Sequence, residues 1–222
     1  MSDLKSKITT LIVDVENVLR DGDIKDIPKH FEKIGINAQR LREALQGRTE
    51  LPPYFLECRL GKIPAREFRN AVRNDLLDNA GGMSDEDFDR AYCGIFEDKF
   101  FTQNFMLISK IRSLGIKTVI LSNNNPIHTA YFHEQCDDYL GQNALSEIFD
   151  AVLFSYEIGC RKPDKAAYQK ALDAVGETDF TKCALADDKK RNLDAAAALG
   201  ITPVHIPTPG DFVKVITGRF GI

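Results

Sequence analysis

The sequence predicts an α/β fold in which a doubly wound parallel sheet receives a helical insertion after its first strand. Short aliphatic runs that suit buried strands alternate with helical patterns from residue 104 onward, and such alternation is typical of a parallel sheet covered by helices on both faces. Between the first strand and this region, residues 20–100 have apolar residues at helical spacing and no strand-like run. We therefore expect a core domain of residues 1–19 and 101–222 and an inserted helical domain of residues 20–100.

Two acidic residues follow the first strand directly. Residues 10–15 are mostly aliphatic and β-branched, which suits the middle of a parallel sheet, and the carboxyl ends of such strands open onto the ligand-binding crevice. Asp14 and Glu16 lie at this end. Side chains two residues apart on a strand point the same way, although the backbone normally bends after such a strand. Both carboxylates are therefore candidates for one pocket.

Helix boundaries are recognisable in the inserted segment. Pro52-Pro53 and Pro64 suit the first turns of helices, and Ser84 followed by Asp87 resembles an N-cap residue with an acidic residue at the third helical position. These signals predict that helices begin at three points in the insertion.

The chain after residue 104 predicts four further strands, each separated from the next by a helical pattern. A helix that ends at Gly115 precedes the first of them. The predicted strands cover residues 116–121, 151–154, 183–186 and 203–206.

Polar residues follow two of these strands. Ser122 and Asn123 come just before a helix that Pro126 opens, an arrangement that suits an anion held by a hydroxyl and backbone N–H groups. The alternative is a turn that only caps the helix. Lys162 precedes Pro163 and is held extended just before another helix, although a lysine at such a position is usually solvated.

Paired acids end the fourth strand. Asp187 and Asp188 stand at its carboxyl edge, and Asn192 lies one turn into the following helix. Hard carboxylate oxygens suit Mg²⁺, which keeps several waters in its shell. The alternative is a helix-capping acid beside a solvated neighbour.

Composition limits the classes of partner and compartment. The formal net charge is −4, which does not indicate the positively charged surface that binds nucleic acid or an anionic membrane. The five cysteines include no C-x-x-C pair, which favours free thiols in a reducing compartment. No stretch approaches the roughly 20 apolar residues that span a bilayer, and the first ten residues lack an apolar signal core. We therefore expect a cytoplasmic protein.

Four segments in order, LIVDVENVL, TVILSN, RKPD and CALADDKKRN, together resemble the motifs of the haloacid dehalogenase (HAD) superfamily of aspartate-nucleophile phosphatases. The resemblance covers the whole chain and implies a Rossmann-like core with a helical C1 cap, which would be residues 20–100. The segments LSNNNPIHT, EIGCRKPDKAAYQ and LADDKKRNLDAAAALGIT are most similar to the group typified by bacterial α-D-glucose-1-phosphate phosphatase.

The resemblance implies a role for each of the residues at the strand ends. Asp14 would be the nucleophile that forms an aspartyl-phosphate, and Lys162 would neutralise charge on Asp14 and the transferring group. Ser122 and the backbone N–H of Asn123 would hold phosphoryl oxygens.

The resemblance also implies a Mg²⁺ site. Its ligands would be Asp14, the backbone carbonyl of Glu16, and Asp188, while Asp187 would complete or orient the shell. Asn192 would support these ligands without touching the metal.

Glu16 departs from the family pattern, which usually has an aspartate at this position as the general acid and base. Glutamate is longer by one methylene, so Glu16 is either a catalytic acid and base or an incidental carboxylate turned elsewhere. Three functions stay open: a Mg²⁺-dependent phosphatase acting on a small phosphate ester such as a sugar phosphate, a metal-free 2-haloacid dehalogenase, and a non-catalytic phospho-ligand binding protein. The first is favoured, because a dehalogenase does not need Asp187 and Asp188. Oligomeric state is left open.

Overall fold

Five parallel strands form one sheet, which confirms the predicted fold class. The computed structural model describes residues 8–222; the predicted core domain begins at residue 1, so its first seven residues lie outside the described part. The strands are β1 (Thr10–Val13), β2 (Lys117–Ser122), β3 (Ala151–Phe154), β4 (Cys183–Asp187) and β5 (Thr202–His205). Their order in the sheet is β3-β2-β1-β4-β5.

The central strand is buried on both sides. Leu11 and Val13 belong to the hydrophobic cluster on one face of the sheet, whereas Ile12 belongs to the cluster on the other face, because side chains alternate along a strand. Phe105 and Phe132 fill the first cluster and Tyr168 the second. Burial on both faces accounts for the uninterrupted aliphatic pattern of β1.

Helices cover both faces of the sheet and form the insertion. In chain order they are α1 (Ile27–Lys33), α2 (Gln39–Leu45), α3 (Tyr54–Arg59), α4 (Ala65–Leu76), α5 (Asp85–Cys93), α6 (Thr102–Ser113), α7 (Pro126–Leu140), α8 (Ala144–Ile148), α9 (Ser155–Ile158), α10 (Lys165–Asp173), α11 (Lys190–Ala198) and α12 (Phe212–Phe220). Short 3₁₀ turns lie at Ile24–Asp26, Gly94–Phe96, Phe180–Lys182 and Pro209–Asp211. Within residues 8–222, no helix combines the length and apolar content needed to cross a membrane.

Helices α1 to α5 share a hydrophobic cluster of their own, which Ile127 of α7 joins and against which Tyr131 of the same helix packs. The three helix starts predicted in this segment are confirmed: α3 and α4 begin next to their prolines, and the Ser84 hydroxyl accepts the Asp87 backbone N–H at 3.0 Å. The division into a core and a cap at residues 19/20 and 100/101 stays a prediction.

The inserted helices contact the sheet region at defined points. The Ser155 hydroxyl donates to the backbone carbonyl of Arg59 at 2.7 Å, and the Gln135 side chain donates to the carbonyl of Phe96 at 2.9 Å. At Gly61, an added Cβ would lie 2.1 Å from the carbonyl oxygen of Tyr156, and its φ is +68°. Glycine is therefore required where the end of α3 approaches the core.

Candidate active site

Asp14 and Asp187 lie side by side because they follow paired positions of neighbouring strands. Val13 of β1 is in register with Ala186 of β4, and the Asp14 N–H donates to the Ala186 carbonyl at 3.0 Å. Carboxylate oxygens of Asp14, Asp187 and Asp188 all lie within 4.8 Å of one another. We call these three residues, together with Lys162, the acid cluster.

Lys162 is fully buried between two of these carboxylates. Its ammonium nitrogen lies 2.7 Å from Asp187 Oδ2 and 3.0 Å from Asp14 Oδ2. The Asn123 side chain fixes the lysine's backbone in both directions, since its amide donates to the Lys162 carbonyl at 2.7 Å and its oxygen accepts the Lys162 N–H at 2.8 Å. The predicted loop lysine is therefore an interior cation.

Burial and the charges inside the acid cluster shift the pKa values of its residues. Burial opposes the charged form of Lys162, but the neighbouring carboxylates outweigh it and raise the lysine's pKa. Burial likewise opposes ionisation of Asp14, yet Lys162, Lys189 and the Val15 N–H together lower its pKa. Burial and the Asp14 charge outweigh Lys162 at Asp187 and raise its pKa.

The carboxylates of the acid cluster differ in how many hydrogen bonds they already accept. Asp187 accepts from Lys162, from the Lys189 N–H at 2.8 Å and, with both oxygens, from the Asn192 amide at 3.0 Å. Asp188 Oδ2 accepts from Asn17 at 3.1 Å, whereas its buried Oδ1 accepts no hydrogen bond within residues 8–222. The Lys189 ammonium lies 3.5 Å from this oxygen, beyond a normal hydrogen-bond length. A buried acceptor without a hydrogen bond, beside other carboxylates, fits a divalent cation.

Glu16 turns away from the acid cluster and is surrounded by donors. Its Oε2 accepts from the Ser122 hydroxyl at 2.9 Å, and its Oε1 accepts from Asn124 Nδ2 and Arg20 Nη2, each at 2.9 Å. We call Glu16, Arg20, Ser122 and Asn124 the Glu16 cluster. The hydroxyl that was predicted to hold a phosphoryl group therefore donates to a carboxylate of the same chain.

Arg20 is buried and has several partners besides Glu16. It donates to Gln135 Oε1 and to the His128 carbonyl, both at 3.0 Å, and its guanidinium lies 3.6 Å from the centre of the Phe96 ring. A buried cation is tolerated only with such compensation.

A cavity of about 500 Å³ opens beside both clusters, a size that suits a small molecule. It lies between the insertion and the sheet, and its walls include many charged side chains. They are Glu16, Asn17, Asp21, Gly22, Asp23, Ile24, Arg59, Asn123, Asn124, His128, Arg161, Lys189 and Arg191.

The structure thus brings the predicted site residues to one edge of the sheet, although the Glu16 side chain lies outside the group of acids that could hold a cation. The roles predicted for them stay predictions. Sequence reasoning missed Arg20, Arg59, Arg161 and Arg191. Arg161 could have been found because it adjoins Lys162, and Arg191 because it adjoins Asn192; Arg59 carries no such signal, since it comes from a helix of the insertion.

Two curated relatives match part of the chain. A protein named Phosphatase MT3486, from Mycobacterium tuberculosis, is 33% identical over 103 residues, which are 46% of this chain and 44% of the relative. Acyl-CoA dehydrogenase family member 10 from mouse is 30% identical over 115 residues, 51% of this chain and 10% of the relative. The match therefore spans less than half the length of either relative.

Solved structures match over most of the chain. The HAD family enzyme bt-2542 from Bacteroides thetaiotaomicron, in complex with magnesium and inorganic phosphate, superposes with a TM-score of 0.77 at 26% identity, covering 89% of this chain and 93% of that one. A HAD-like hydrolase from Porphyromonas gingivalis gives a TM-score of 0.79 at 20% identity over 96% and 98% of the two chains, which supports the fold.

A family model described as haloacid dehalogenase-like hydrolase matches residues 8–200. This span contains the acid cluster, the Glu16 cluster and the helices inserted after β1. The chain belongs to the haloacid dehalogenase-like hydrolase family.

Proposed function

We propose that this protein is a Mg²⁺-dependent phosphatase that hydrolyses a small phosphomonoester, such as a sugar phosphate, through an aspartyl-phosphate on Asp14. The observation that carries the proposal is the acid cluster: an ionised Asp14 lies beside a buried lysine and two further acids, at the edge of a small-molecule cavity. The Mg²⁺ and phosphate bound by the Bacteroides enzyme and the name of the mycobacterial relative support the same chemistry.

Asp14 would act as a nucleophile. Lys162 holds its Oδ2 and the Val15 N–H donates to its Oδ1 at 2.8 Å, which keeps the carboxylate ionised and oriented. Attack on phosphorus would form the Asp14–phosphoryl bond and break the ester bond, and the leaving oxygen would take up a proton. Water would then attack the aspartyl-phosphate, release inorganic phosphate and regenerate the carboxylate.

The donor set fits Mg²⁺ because hard oxygens converge and one of them, Asp188 Oδ1, accepts no hydrogen bond within residues 8–222. Asp14, Asp188 and the backbone carbonyl of Glu16 would hold the metal. Asp187 would orient Lys162 and Asn192, since its oxygens already accept hydrogen bonds from both. The ion would supply positive charge that offsets the repulsion between a carboxylate and a phosphate dianion.

Ser122 and the Asn123 N–H would hold phosphoryl oxygens, but the Ser122 hydroxyl already donates to Glu16. Phosphate binding would therefore exchange this hydrogen bond for one to the substrate. The exchange would release one oxygen of Glu16 at the cavity wall. We propose that the released carboxylate takes up a proton from solvent in the cavity and donates it to the leaving oxygen. The Glu16 carboxylate left by this step would then accept a proton from the attacking water.

Hydrolysis of p-nitrophenyl phosphate with and without Mg²⁺ tests the proposed function. We expect turnover that EDTA abolishes and Mg²⁺ restores, and a loss of about 10⁴-fold or more in kcat for Asp14→Asn. Asp194→Asn, at an exposed acid on α11, is the control. Turnover without a metal, release of halide from a 2-haloacid, or binding of phosphate without turnover would instead favour one of the two alternative functions.

The dependence on leaving group tests Glu16 separately. If it is the general acid, Glu16→Gln lowers kcat/KM for an alkyl phosphate by about 10²- to 10⁴-fold. The same variant should change p-nitrophenyl phosphate far less, because nitrophenolate departs without a proton. An equal effect on both esters would mean that Glu16 acts only by organising the site.

A further inference from the structure

Three arginines from separate parts of the chain line the cavity beside the acid cluster. Arg59 ends α3 of the insertion, Arg161 immediately precedes Lys162, and Arg191 lies in the first turn of α11. No member of the acid cluster lines this cavity, but Asn123 and Lys189, which contact Lys162 and Asp188, do.

None of the three arginines is neutralised by a neighbouring acid. Among residues 8–222, no carboxylate oxygen lies within 4.0 Å of their guanidinium nitrogens. Arg59 and Arg161 are half-buried and Arg191 is exposed. Burial, followed by the charges of Arg191 and Arg59, lowers the pKa of Arg161.

The backbone holds two of these arginines in place. The carbonyl of Arg59 accepts the Ser155 hydroxyl at 2.7 Å, and the same hydroxyl accepts the Asn124 N–H at 3.1 Å. Arg161 adjoins the residue that Asn123 clamps through its backbone. Like charges gathered on a fixed frame disfavour one another unless an anion lies between them.

The acids of the cavity wall do not supply that anion. Glu16 already accepts from Arg20, while Asp21 and Asp23 are exposed and lie on the loop that follows the first strand.

We propose that Arg59, Arg161 and Arg191 bind a second anionic group, a carboxylate or a phosphate, on the leaving-group part of the substrate. The inference rests on the proposed phosphatase function and narrows its substrate class to small esters with two negative groups. Planar guanidinium groups bind both anions through paired hydrogen bonds. Glucose 1-phosphate, the substrate suggested by the group that the sequence resembles, lacks such a second group.

Matched pairs of esters test the inference by kinetics. The first pair is 2-phosphoglycolate and its amide, which differ in one carboxylate; the second is glucose 1,6-bisphosphate and glucose 1-phosphate, which differ in one phosphate. We expect the wild type to favour the charged member of at least one pair by about tenfold or more in kcat/KM. The pair that shows the preference identifies the second group.

Arginine variants assign the preference to the three side chains. Arg59→Gln, Arg161→Gln and Arg191→Gln should each lower the ratio of kcat/KM values by about tenfold, whereas Arg219→Gln, at an exposed position of α12, should leave it unchanged. Equal handling of both pairs by the wild type would overturn the inference. It would also be overturned if a variant slowed both members equally, because the arginine would then act on the transferred phosphoryl group or on folding.

Calorimetry keeps this test independent of turnover. Binding of the same esters to Asp14→Asn in the presence of Mg²⁺ should show the same preference, and the three glutamine variants made in that background should lose it. If the wild type hydrolyses neither p-nitrophenyl phosphate nor any of these esters, the proposed function fails, while the calorimetric preference still decides whether the second anion site exists.

Discussion

Two charged clusters at the carboxyl edge of the sheet differ in what they leave unsatisfied. In the acid cluster, Asp14 and Asp187 share the buried ammonium of Lys162, while Asp188 Oδ1 accepts no hydrogen bond within residues 8–222 and lies 3.5 Å from the Lys189 ammonium. In the Glu16 cluster, one carboxylate is surrounded by the guanidinium of Arg20, the Ser122 hydroxyl and the Asn124 amide. The acid cluster has more hydrogen-bond acceptors than donors, whereas the donors of the Glu16 cluster are occupied by the Glu16 carboxylate.

The two clusters are therefore suited to ligands of opposite charge. Excess negative charge in a buried place is stabilised by a cation, so the acid cluster is suited to a metal ion. In the Glu16 cluster, the Glu16 carboxylate already occupies the donors. Its oxygens accept hydrogen bonds as the oxygens of the predicted phosphoryl group would. Under the proposed function, a substrate would compete with Glu16 for the Ser122 hydroxyl.

The largest effect on stability is expected from Lys162→Met. The substitution leaves Asp14 and Asp187 buried without their counter-charge, and losing one partner of a buried ion pair costs about 3–5 kcal/mol. Urea denaturation at pH 8 measures the loss. Added Mg²⁺ should restore part of it, because a ligand that binds the native state raises the free energy of unfolding.

The matched control for Lys162→Met is Lys190→Met. Lys190 forms an exposed pair with Asp194 at 2.7 Å, and removal of such pairs changes stability by about 1 kcal/mol or less. A loss below about 1 kcal/mol for Lys162→Met would contradict the comparison. So would a loss on which Mg²⁺ has no effect.

A smaller effect is expected from breaking the pair of Glu16 and Arg20. Arg20 is buried, whereas the Glu16 side chain is 16% exposed, so we expect Arg20→Met to cost about 2–3 kcal/mol, below the value for a fully buried pair. A double-mutant cycle with Glu16→Gln isolates the coupling between the two side chains. Thermal or urea unfolding of the four proteins measures it.

The insertion contains a matched pair for this cycle. Glu86 and Arg90 of α5 have the same spacing and order and an N–O distance of 3.1 Å, but their side chains are 84% and 69% exposed. Their coupling should be about 0.3–0.5 kcal/mol. If both cycles give the same value, burial does not distinguish the Glu16 cluster from a surface pair.

The sheet and most of the site residues could be predicted because their signals are local. Aliphatic runs mark the strands, and parallel strands bring their carboxyl ends to one edge, so the sequence alone predicts that Asp14, Ser122 and Asp187 lie together. The predicted bounds of β2 and β5 were each shifted by one residue. Pairing with a neighbour sets these ends, as when Ser122 pairs with Phe154.

The direction of Glu16 and the source of the cavity's arginines could not be predicted. The backbone bends after β1, and Asn17 adopts a positive φ of 61°, so the alternation of a strand does not continue to Glu16. Arg59 reaches the site only because α3 packs on the core through Ser155 and Gly61. Such contacts between distant segments leave no periodic signal in a sequence.

The smallest expected effect is a pH dependence of the free energy of unfolding that arises from His128, whose carbonyl accepts a hydrogen bond from Arg20 of the Glu16 cluster. His128 is buried against Tyr92 and Phe96, and burial, with the charges of Arg20 and Arg59, places its pKa well below the ordinary value. Below about pH 6.5 the unfolded chain binds a proton at this residue that the native state does not. Stability should therefore fall with decreasing pH, by at most about 1.4 kcal/mol per pH unit, until the native pKa is reached.

Substitution of the ring separates this histidine from the carboxylates that titrate at lower pH. His128→Phe keeps an aromatic ring on Tyr92 and removes the proton, so the decline in the free energy of unfolding between pH 6.5 and 5.5 should become shallower than in the wild type. His133→Phe, on an exposed position of the same helix, should retain the wild-type slope. Equal slopes in the wild type and His128→Phe would mean that the Glu16 cluster tolerates a second cation beside Arg20. The acid cluster, which suits a cation, and the Glu16 cluster, which would exclude a further one, would then no longer differ in this respect.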